Sequence, residues 1–292
     1  MLKGICFSLF SSCLFSYLYY FSTLLLPLSG TDVFGYRVLL TAPFVALAII
    51  LFKQQGKFIH HLKRIQKHPL LILIFMINGG IIGFQMWLFL WAPNNGSAIS
   101  VSIGYLLLPI VMVAAARFIF KEHISPLKFT AVMIAMIGVI ITILTKGELS
   151  WEASAICIGY TTYFSLRKKL KMMDITAFFI EILLLLPLCL YFIWQTDIQS
   201  VQLQNPSIFY LLPILGLISG TALISYILAS NYLPINLLGL LGYIEPIIMF
   251  WIAILIGETM DSDTYPLFVC LIMAMVLIVV DGIRYARQAK YK

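Results

Sequence analysis

The chain has 292 residues, of which 62% are hydrophobic and only 11% are charged, and its mean hydropathy is +1.01. A soluble domain needs about 25% charged residues to cover its surface, so this composition predicts a protein embedded in lipid. The net charge of +7 comes from bases in short connectors between apolar runs, a pattern that argues against nucleic-acid binding. The five cysteines form no CxxC pair and no Cys/His spacing, so we expect no metal site.

Ten segments are long and apolar enough to cross a membrane, given that a helical crossing takes about 20 apolar residues. The predicted spans are residues 4–26, 33–52, 70–91, 98–120, 127–145, 151–166, 175–195, 208–230, 235–256 and 264–286. They must be helices because lipid offers no hydrogen-bond partner to an open backbone. The sixth is the weakest, since the basic run Arg167-Lys168-Lys169 truncates it. The first opens after Lys3 without a cleavage site, so we expect it to be retained.

The distribution of Lys and Arg over the connectors predicts the orientation of the chain. With the N-terminus in the cytoplasm, 17 of the 19 bases lie on the cytoplasmic side, while Lys146 lies outside and Arg37 lies within a span. We therefore expect a multi-pass protein of the bacterial inner membrane with both termini cytoplasmic. The histidines of the first basic connector, His60, His61 and His68, are expected to be solvated.

A shift of the chain by 137 positions superposes several special residues on one another. The coinciding pairs are Gly79 with Gly216, Gly83 with Gly220, Ala92 with Ala229, Asn94 with Asn231, Pro109 with Pro246, and Met112 with Met249. The glycines predict close helix packing, and the prolines predict kinks or breaks in the fourth and ninth spans. Chance similarity between apolar helices is the alternative explanation.

Each half holds five predicted spans, and because five is odd the second half enters the membrane from the opposite side. We therefore predict an all-α integral membrane protein with ten transmembrane helices in two five-helix inverted repeats, residues 1–146 and 147–292. Many secondary transporters build alternating access from this architecture.

Three charged residues stand out inside predicted spans, because a charge in the middle of the bilayer costs about 2.5–3.5 kcal/mol on insertion scales. Glu245 lies about 15 Å deep, directly before Pro246. It either binds a cation or exchanges a proton, or it is a protonated or hydrogen-bonded carboxyl in a helix seam. Arg37 either binds a carboxylate or reaches the outer headgroups. Glu181 is a candidate partner for Arg37, although their estimated depths differ by about 13 Å.

Aromatic side chains add a second group of candidates. Tyr105 and Tyr243 precede the two prolines by four and three residues, and buried hydroxyls at that depth need polar partners. Trp87 is a further candidate, whereas Trp91 fits an interfacial belt. The sequence has no phosphate-binding loop, no H-E-x-x-H and no nucleophile elbow, so we expect neither an enzyme nor a bound cofactor. Protons remain the candidate coupling ion.

Several motifs together carry a family resemblance over nearly the whole chain. They are Tyr36-Arg37-Val38, the run WLFLWAPNN from Trp87 to Asn95, Gly104-Tyr105 with Pro109, YFSLRKK from Tyr163 to Lys169, Ile180-Glu181 to Pro187, Gly242-Tyr243-Ile244 with Pro246, and Gly257-Glu258. With these motifs the chain resembles the drug/metabolite transporter superfamily, EamA type, in its RarD-like (chloramphenicol-sensitivity protein) branch.

The resemblance implies the ten-helix inverted-repeat fold and a central cavity built by the first four helices of each repeat. It implies that five residues lie in or near that cavity: Arg37, Trp87, Tyr105, Glu181 and Tyr243. The chain departs from the family at Glu245, where a small residue is usual, and at Phe15-Ser16, where the family has a Trp-Gly pair. Glu245 therefore points to a substrate unlike that of typical relatives.

We expect a secondary transporter that exports a small amino acid or a related amine or zwitterion. Arg37 would bind its carboxylate, and Glu245 or Glu181 would bind its amine. An exporter of amphipathic drugs is the first alternative, and a lipid scramblase or channel is the second. The expected partners are a small-molecule substrate and membrane lipids, without nucleic acid, for a monomer or homodimer.

Overall fold

A computed structural model describes residues 2–121, 123–233 and 235–290, with backbone only at 235–236 and 285–290. Its helices are α1 (Leu2–Phe21), α2 (Gly30–Leu51), α3 (Gln55–Lys67), α4 (Leu71–Trp91), α5 (Ala98–Phe120), α6 (Pro126–Lys146), α7 (Trp151–Lys169), α8 (Ile175–Gln195), α9 (Ile198–Gln204), α10 (Ile208–Tyr232), α11 (Ile235–Leu241), α12 (Ile244–Leu255) and α13 (Tyr265–Lys290). Short 3₁₀ turns follow α1 and α4 and precede α13.

Polar residues fix where several spans begin. At α2, the Ser29 hydroxyl accepts from the Asp32 amide and the Asp32 carboxylate accepts from the Ser29 amide, a reciprocal capping box. Ser125 caps α6, with Pro126 at the first helical position, and the Asp174 carboxylate caps α8. These caps satisfy backbone N–H groups that would otherwise lack partners at the ends of apolar helices.

Within the described residues, nine helices are long and apolar enough to cross a membrane, and they match nine of the ten predicted spans. The one remaining predicted span, the sixth, corresponds to α7, which is 19 residues long but more polar than the others. Helix α7 extends past the predicted end of the span at residue 166, and Arg167 is buried. The sequence had assigned Arg167 to the basic connector that follows the span. The extension is stable because buried partners satisfy the guanidinium of Arg167.

The predicted ninth span is two helices, since α11 ends at Leu241 and α12 begins at Ile244. Pro246 lies in the first turn of α12, where its missing N–H costs no helical hydrogen bond. By contrast, α5 runs unbroken through Pro109. The helix break expected from the prolines therefore occurs in the ninth span and not in the fourth.

The chain forms two compact units. The first unit comprises Met1–Ser16, Gly96–Thr161 and Tyr226–Lys292, and the second comprises Tyr17–Asn95 and Thr162–Ser225. Each unit thus draws on both sequence halves, and the boundaries between units fall inside α1, α7 and α10. The two predicted repeats are therefore interleaved.

Close approaches inside the second unit follow the repeat. A Cβ added at Gly79 of α4 would lie 3.2 Å from the carbonyl oxygen of Glu181 in α8, and one added at Gly216 of α10 would lie 2.7 Å from Leu40 in α2. Leu40 and Glu181 are 141 positions apart. The next turn repeats the arrangement, with Gly83 against Leu185 and Gly220 against Phe44. The small residues thus let the third long helix of each half approach the second long helix of the other half closely.

Two hydrogen bonds inside the first unit show the same relation. The Ser16 hydroxyl of α1 donates to the carbonyl of Glu245 at 3.2 Å, and the Cys157 thiol of α7 donates to the carbonyl of Gly104 at 3.6 Å. The two donors are 141 positions apart, and so are the two acceptors, which is four positions more than the shift that superposes Pro109 on Pro246. The first helix of each repeat therefore packs on the fourth helix of the other repeat, as an inverted repeat requires.

Side-chain contacts between connectors agree with the predicted alternation of sides. The contacts are Asp32 with Thr196 and Lys146 with Asp261 on the predicted outer side, and His61 with Asp174 and Lys128 with Asp281 on the predicted inner side. Each contact joins connectors or helix ends that the sequence assigns to the same face of the membrane.

Candidate functional site

Arg37 lies on α2 in the second unit and is buried. Its Nε donates to the Ser219 hydroxyl at 3.2 Å, and its guanidinium carbon lies 5.3 Å from the centre of the Phe89 ring. Phe89 in turn packs against Tyr19, with ring centroids 5.0 Å apart. A permanent positive charge is thus held inside the span by a hydroxyl and an aromatic face.

Trp87 lies in an aromatic stack on α4. Its ring centroid is 5.4 Å from that of Phe84 and 5.4 Å from that of Trp91. The indole Nε1 is buried, and no residue in the described part of the chain accepts a hydrogen bond from it. The stack therefore presents one unused donor inside the second unit.

Glu181 lies on α8 with no exposed surface, in the same unit. Its Oε2 accepts from the Tyr163 hydroxyl at 2.7 Å and from Arg167 Nη1 at 3.3 Å. Arg167 also donates to the Tyr163 hydroxyl, whereas Oε1 of Glu181 and the side-chain amide of Asn78 are buried without a hydrogen-bond partner among the described residues. The partner of Glu181 is thus Arg167, and the pairing with Arg37 considered from the sequence is wrong.

Arg167 also links this network to the end of α8. Its Nε donates to the Met172 carbonyl and its Nη2 to the Asp174 carbonyl, both at 2.7 Å. The Asp174 carboxylate lies 2.9 Å from Nε2 of His61 on α3. His61 is 3% exposed, so the expectation of a solvated loop histidine is wrong; it is buried because α3 docks on α8.

The surroundings of Asp174 favour its charged form. Burial would raise the pKa of the carboxyl, but hydrogen bonds from His61, Thr176 and the Ala177 amide outweigh burial and hold the pKa well below its usual range. Asp174 therefore stays charged at every physiological pH.

In the first unit, Tyr243 and Glu245 lie at the break between α11 and α12. Tyr243 is 3% exposed, and its hydroxyl has no hydrogen-bond partner among residues of the described ranges. Glu245 is half-buried in the first turn of α12. The N-terminus of a helix carries unpaired N–H groups and a partial positive charge, which favours the carboxylate there.

Tyr105 belongs to the same unit and pairs with a residue that the sequence did not single out. Its hydroxyl lies 2.9 Å from the Tyr160 hydroxyl of α7, and the two ring centroids are 5.6 Å apart. Tyr163 and Arg167 of α7 were also missed as buried groups. The low apolarity of α7 was the available signal, because a polar span inside a membrane must bury polar side chains.

Glu258, which the sequence offered only as part of a motif, has a structural role in the first unit. Its carboxylate accepts from the amides of Ala98 and Ile99, at 2.7 and 2.8 Å, and so caps α5. It also lines a polar cavity of about 730 Å³ next to the Lys146–Asp261 ion pair.

The six predicted binding residues are divided evenly between the units. Arg37, Trp87 and Glu181 lie in the second unit, whereas Tyr105, Tyr243 and Glu245 lie in the first. In the part of the chain that the structure describes, His, Cys, Asp and Glu form no group that could hold a metal ion. The chemistry on offer is a guanidinium, a carboxylate at a helix break, and unpaired aromatic donors.

Comparison with known proteins gives consistent matches. The EamA-like transporter family matches residues 2–144. An uncharacterized transporter of Haemophilus influenzae is 60% identical over 100% of this chain and 98% of its own length. The chloramphenicol-sensitive protein RarD of Pseudomonas aeruginosa is 32% identical over 98% of this chain and 96% of its own. Protein RarD of Escherichia coli is 26% identical over 88% of this chain and 87% of its own.

A solved crystal structure covers 98% of this chain and 99% of its own, with a TM-score of 0.57 at 12% identity, which shows a shared fold. The helical fold, the interleaved repeat and the full-length relatives agree with one another. The chain belongs to the EamA-like transporter family of the drug/metabolite transporter superfamily, in its RarD-like branch.

Proposed function

We propose that this transporter exports a small amine-bearing metabolite, such as an amino acid or a related zwitterion, by alternating access and without any enzymatic step. The observation that carries the proposal is the break between α11 and α12. It places the buried Tyr243 hydroxyl, which has no hydrogen-bond partner among the described residues, two positions from the half-buried carboxylate of Glu245 inside a membrane span. Discontinuous helices with such groups are typical of transporter binding sites.

Glu245 is the proposed partner of the substrate amine. Glu181 is the weaker candidate, because Arg167 and Tyr163 already occupy its Oε2 within its own unit. A carboxylate that is partly exposed within a span can exchange one cation for another at lower cost than a fully buried ion pair can. Proton exchange at the same carboxylate is the proposed coupling.

Arg37 is the proposed group for a substrate carboxylate, because its planar guanidinium binds carboxylates in bidentate fashion. Its role can be separated from that of Glu245 by choosing substrates. An amine without a carboxylate should depend on Glu245 alone, whereas an amino acid should depend on both residues.

The test is uptake of radiolabelled solutes, with and without an imposed proton gradient, into proteoliposomes that contain the purified full chain. The panel holds a neutral amino acid, putrescine, a monocarboxylate and chloramphenicol. We expect saturable uptake of the amino acid that depends on a proton gradient, with at least about tenfold loss in Glu245→Gln, because a charged hydrogen bond contributes about 1.5–3 kcal/mol. Glu148→Gln, which removes an exposed carboxylate of the same unit, is the matched control.

Arg37→Gln should reduce uptake of the amino acid and leave uptake of putrescine unchanged. Unchanged proton coupling in Glu245→Gln would contradict the coupling hypothesis. Uptake of the amino acid by this variant at the wild-type rate would show that Glu245 does not bind the substrate. The purified variants must elute and melt like the wild type for either comparison to count.

The second candidate is an exporter of amphipathic drugs. The observation that favours it is the stack of Phe84, Trp87 and Trp91 with its unused indole donor. The name of the Pseudomonas relative, chloramphenicol-sensitive protein RarD, points in the same direction. Chloramphenicol uptake that falls more in Trp87→Ala than in Arg37→Ala would favour this function. Non-saturable flux of either solute would instead favour a channel or scramblase.

We propose further that the protein resides in the bacterial inner membrane with both termini in the cytoplasm. The asymmetry of Lys and Arg between connectors supports this orientation. Reporter fusions at the C-terminus and in the connector of residues 196–207 should report opposite sides of the membrane.

A further inference from the structure

Helix α3 is docked by one face only. Phe58 and Ile65 pack on the buried cluster of Phe75, Met172, Ala177 and Ile180. His61 bonds the Asp174 carboxylate, and Arg64 Nη1 donates to the Leu170 carbonyl at 2.8 Å. These contacts fix the rotation of α3 about its axis, so the directions of its remaining faces are fixed as well.

The next face around the helix is exposed and carries two apolar residues, Ile59 and Leu62, with the exposed Gln66 between them. Ile59 and Leu62 are 49% and 41% exposed, and at 100° per residue they flank the docked face. Lys63 and Lys67, both exposed, follow directly after them around the helix. Around its circumference, α3 therefore passes from a docked face to an exposed face with two apolar residues and then to a basic face.

The position of α3 in the chain places it at the membrane surface. It begins four residues after α2 ends at Leu51 and ends four residues before α4 begins at Leu71, and both neighbours are candidate spans. Lys53, with φ of 53°, provides the sharp turn between α2 and α3. A surface helix with an apolar stripe beside lysines is the arrangement of interfacial helices.

The repeat supplies an internal comparison for these bases. Helix α9 is the equivalent connector of the second half, between α8 and α10. It is seven residues long, carries no Lys or Arg, and exposes Leu203. Because α9 lies in the predicted outer connector, its lack of bases follows the predicted orientation of the chain, whereas the basic face of α3 lies on the predicted cytoplasmic side.

We propose that the Lys63–Lys67 face of α3 binds the headgroups of anionic phospholipids, while Ile59 and Leu62 insert at the level of the upper acyl chains. The charge of the face matches that of the headgroup phosphate, and the apolar flank matches the depth at which an interfacial helix lies. The proposal depends neither on the transported substrate nor on the direction of transport.

The experiment titrates the full chain, purified in a neutral detergent, with phosphatidylglycerol or phosphatidylcholine and follows its apparent melting temperature. A lipid that binds only the folded protein must raise that temperature. We expect phosphatidylglycerol to stabilise more than phosphatidylcholine. In Lys63→Gln/Lys67→Gln the apparent affinity for phosphatidylglycerol should fall by up to about 30-fold, since each lysine near an anionic surface contributes about fivefold.

The matched control is Lys169→Gln/Lys171→Gln, which removes two exposed lysines of the same unit at the neighbouring connector. Diffuse attraction to net charge would weaken phosphatidylglycerol binding equally in both double variants and would overturn the proposal. Equal stabilisation by the two lipids would overturn it as well. Ile59→Ser/Leu62→Ser should weaken binding of both lipids, because the inserted apolar area is common to them.

Two further outcomes separate the lipid from other occupants of the same face. If glycerol phosphate alone reproduces the stabilisation, the face recognises a soluble phosphate and the lipid proposal fails. If Ile59→Ser/Leu62→Ser converts a dimer to a monomer in lipid-free detergent, a second copy of the chain covers the face, and the lipid proposal again fails.

Discussion

Glu181 and Glu245 are two carboxylates inside membrane spans, but their surroundings differ in every respect. Glu181 has no exposed surface, accepts from a tyrosine and an arginine, and lies within an unbroken helix of the second unit. Glu245 is half-buried in the first unit, at the start of a helix that follows a break. Depth in the membrane therefore does not define a role; the partners and the backbone around the carboxylate do.

The comparison predicts opposite consequences of mutation. A buried carboxylate in an ion pair contributes to the fold, because removal of one partner leaves the other charge buried and uncompensated. A carboxylate at a helix break can be lost with little effect on the fold but with a large effect on ligand binding.

The largest expected effect is on the stability of Glu181→Ala. Loss of this carboxylate should cost about 3–5 kcal/mol of unfolding free energy, because Arg167 would stay buried without its counter-ion. Chemical denaturation in detergent is the measurement, with Glu245→Ala as the matched variant expected to lose less than about 1 kcal/mol.

A double variant sharpens this prediction. Glu181→Ala/Arg167→Ala should cost clearly less than the sum of the two single variants, because each removes the other's uncompensated charge. Additive losses would show that the ion pair does not couple the two residues. Equal losses in Glu181→Ala and Glu245→Ala would break the comparison itself.

The next largest effect on stability concerns two buried tyrosines, Tyr163 and Tyr243, which differ in their hydrogen bonds. Tyr163→Phe removes a hydroxyl that bonds Glu181 and Arg167, so it should cost about 1–3 kcal/mol. Tyr243→Phe removes a buried hydroxyl without a partner among the described residues, so stability should be unchanged or slightly higher. Both values come from melting curves of the purified variants.

Transport provides the control for the tyrosine pair. Tyr243→Phe should reduce uptake while the protein stays folded, if its hydroxyl binds the substrate. If the melting temperature falls in Tyr243→Phe as much as in Tyr163→Phe, both hydroxyls stabilise the fold. The proposal that the break between α11 and α12 is a binding site would then lose this support.

The sequence predicted the fold well because membrane spans follow from apolar length, and topology follows from the distribution of bases. It also located the glycines Gly79 and Gly216 at close approaches, because small residues have a direct steric meaning. The break at Gly242–Tyr243 was harder to place, since Pro109 shows that a proline alone does not interrupt a helix.

The polar network of the second unit was missed for a different physical reason. Arg167 and His61 stand in basic runs that look solvated, and only tertiary contacts with Glu181 and Asp174 reveal their burial. Partners 14 and 113 positions apart leave no local spacing signal in a single sequence.

The smallest expected effect is the loss of stability at low pH that follows protonation of Asp174. Its folded-state pKa is depressed, so the carboxylate stabilises the protein above the unfolded pKa of about 3.8, and the stabilisation is lost progressively as the pH falls below that value. Asp174→Asn should flatten the acid limb of melting temperature against pH and cost about 1 kcal/mol at neutral pH, since the capping oxygen remains but the charge does not. Glu245→Gln should leave the slope of that limb unchanged if Asp174 is responsible for it. If the acid limb flattens in Glu245→Gln and not in Asp174→Asn, the assignment is wrong. The group whose protonation destabilises the fold would then be Glu245 at the helix break, and not Asp174, which anchors α3 to α8.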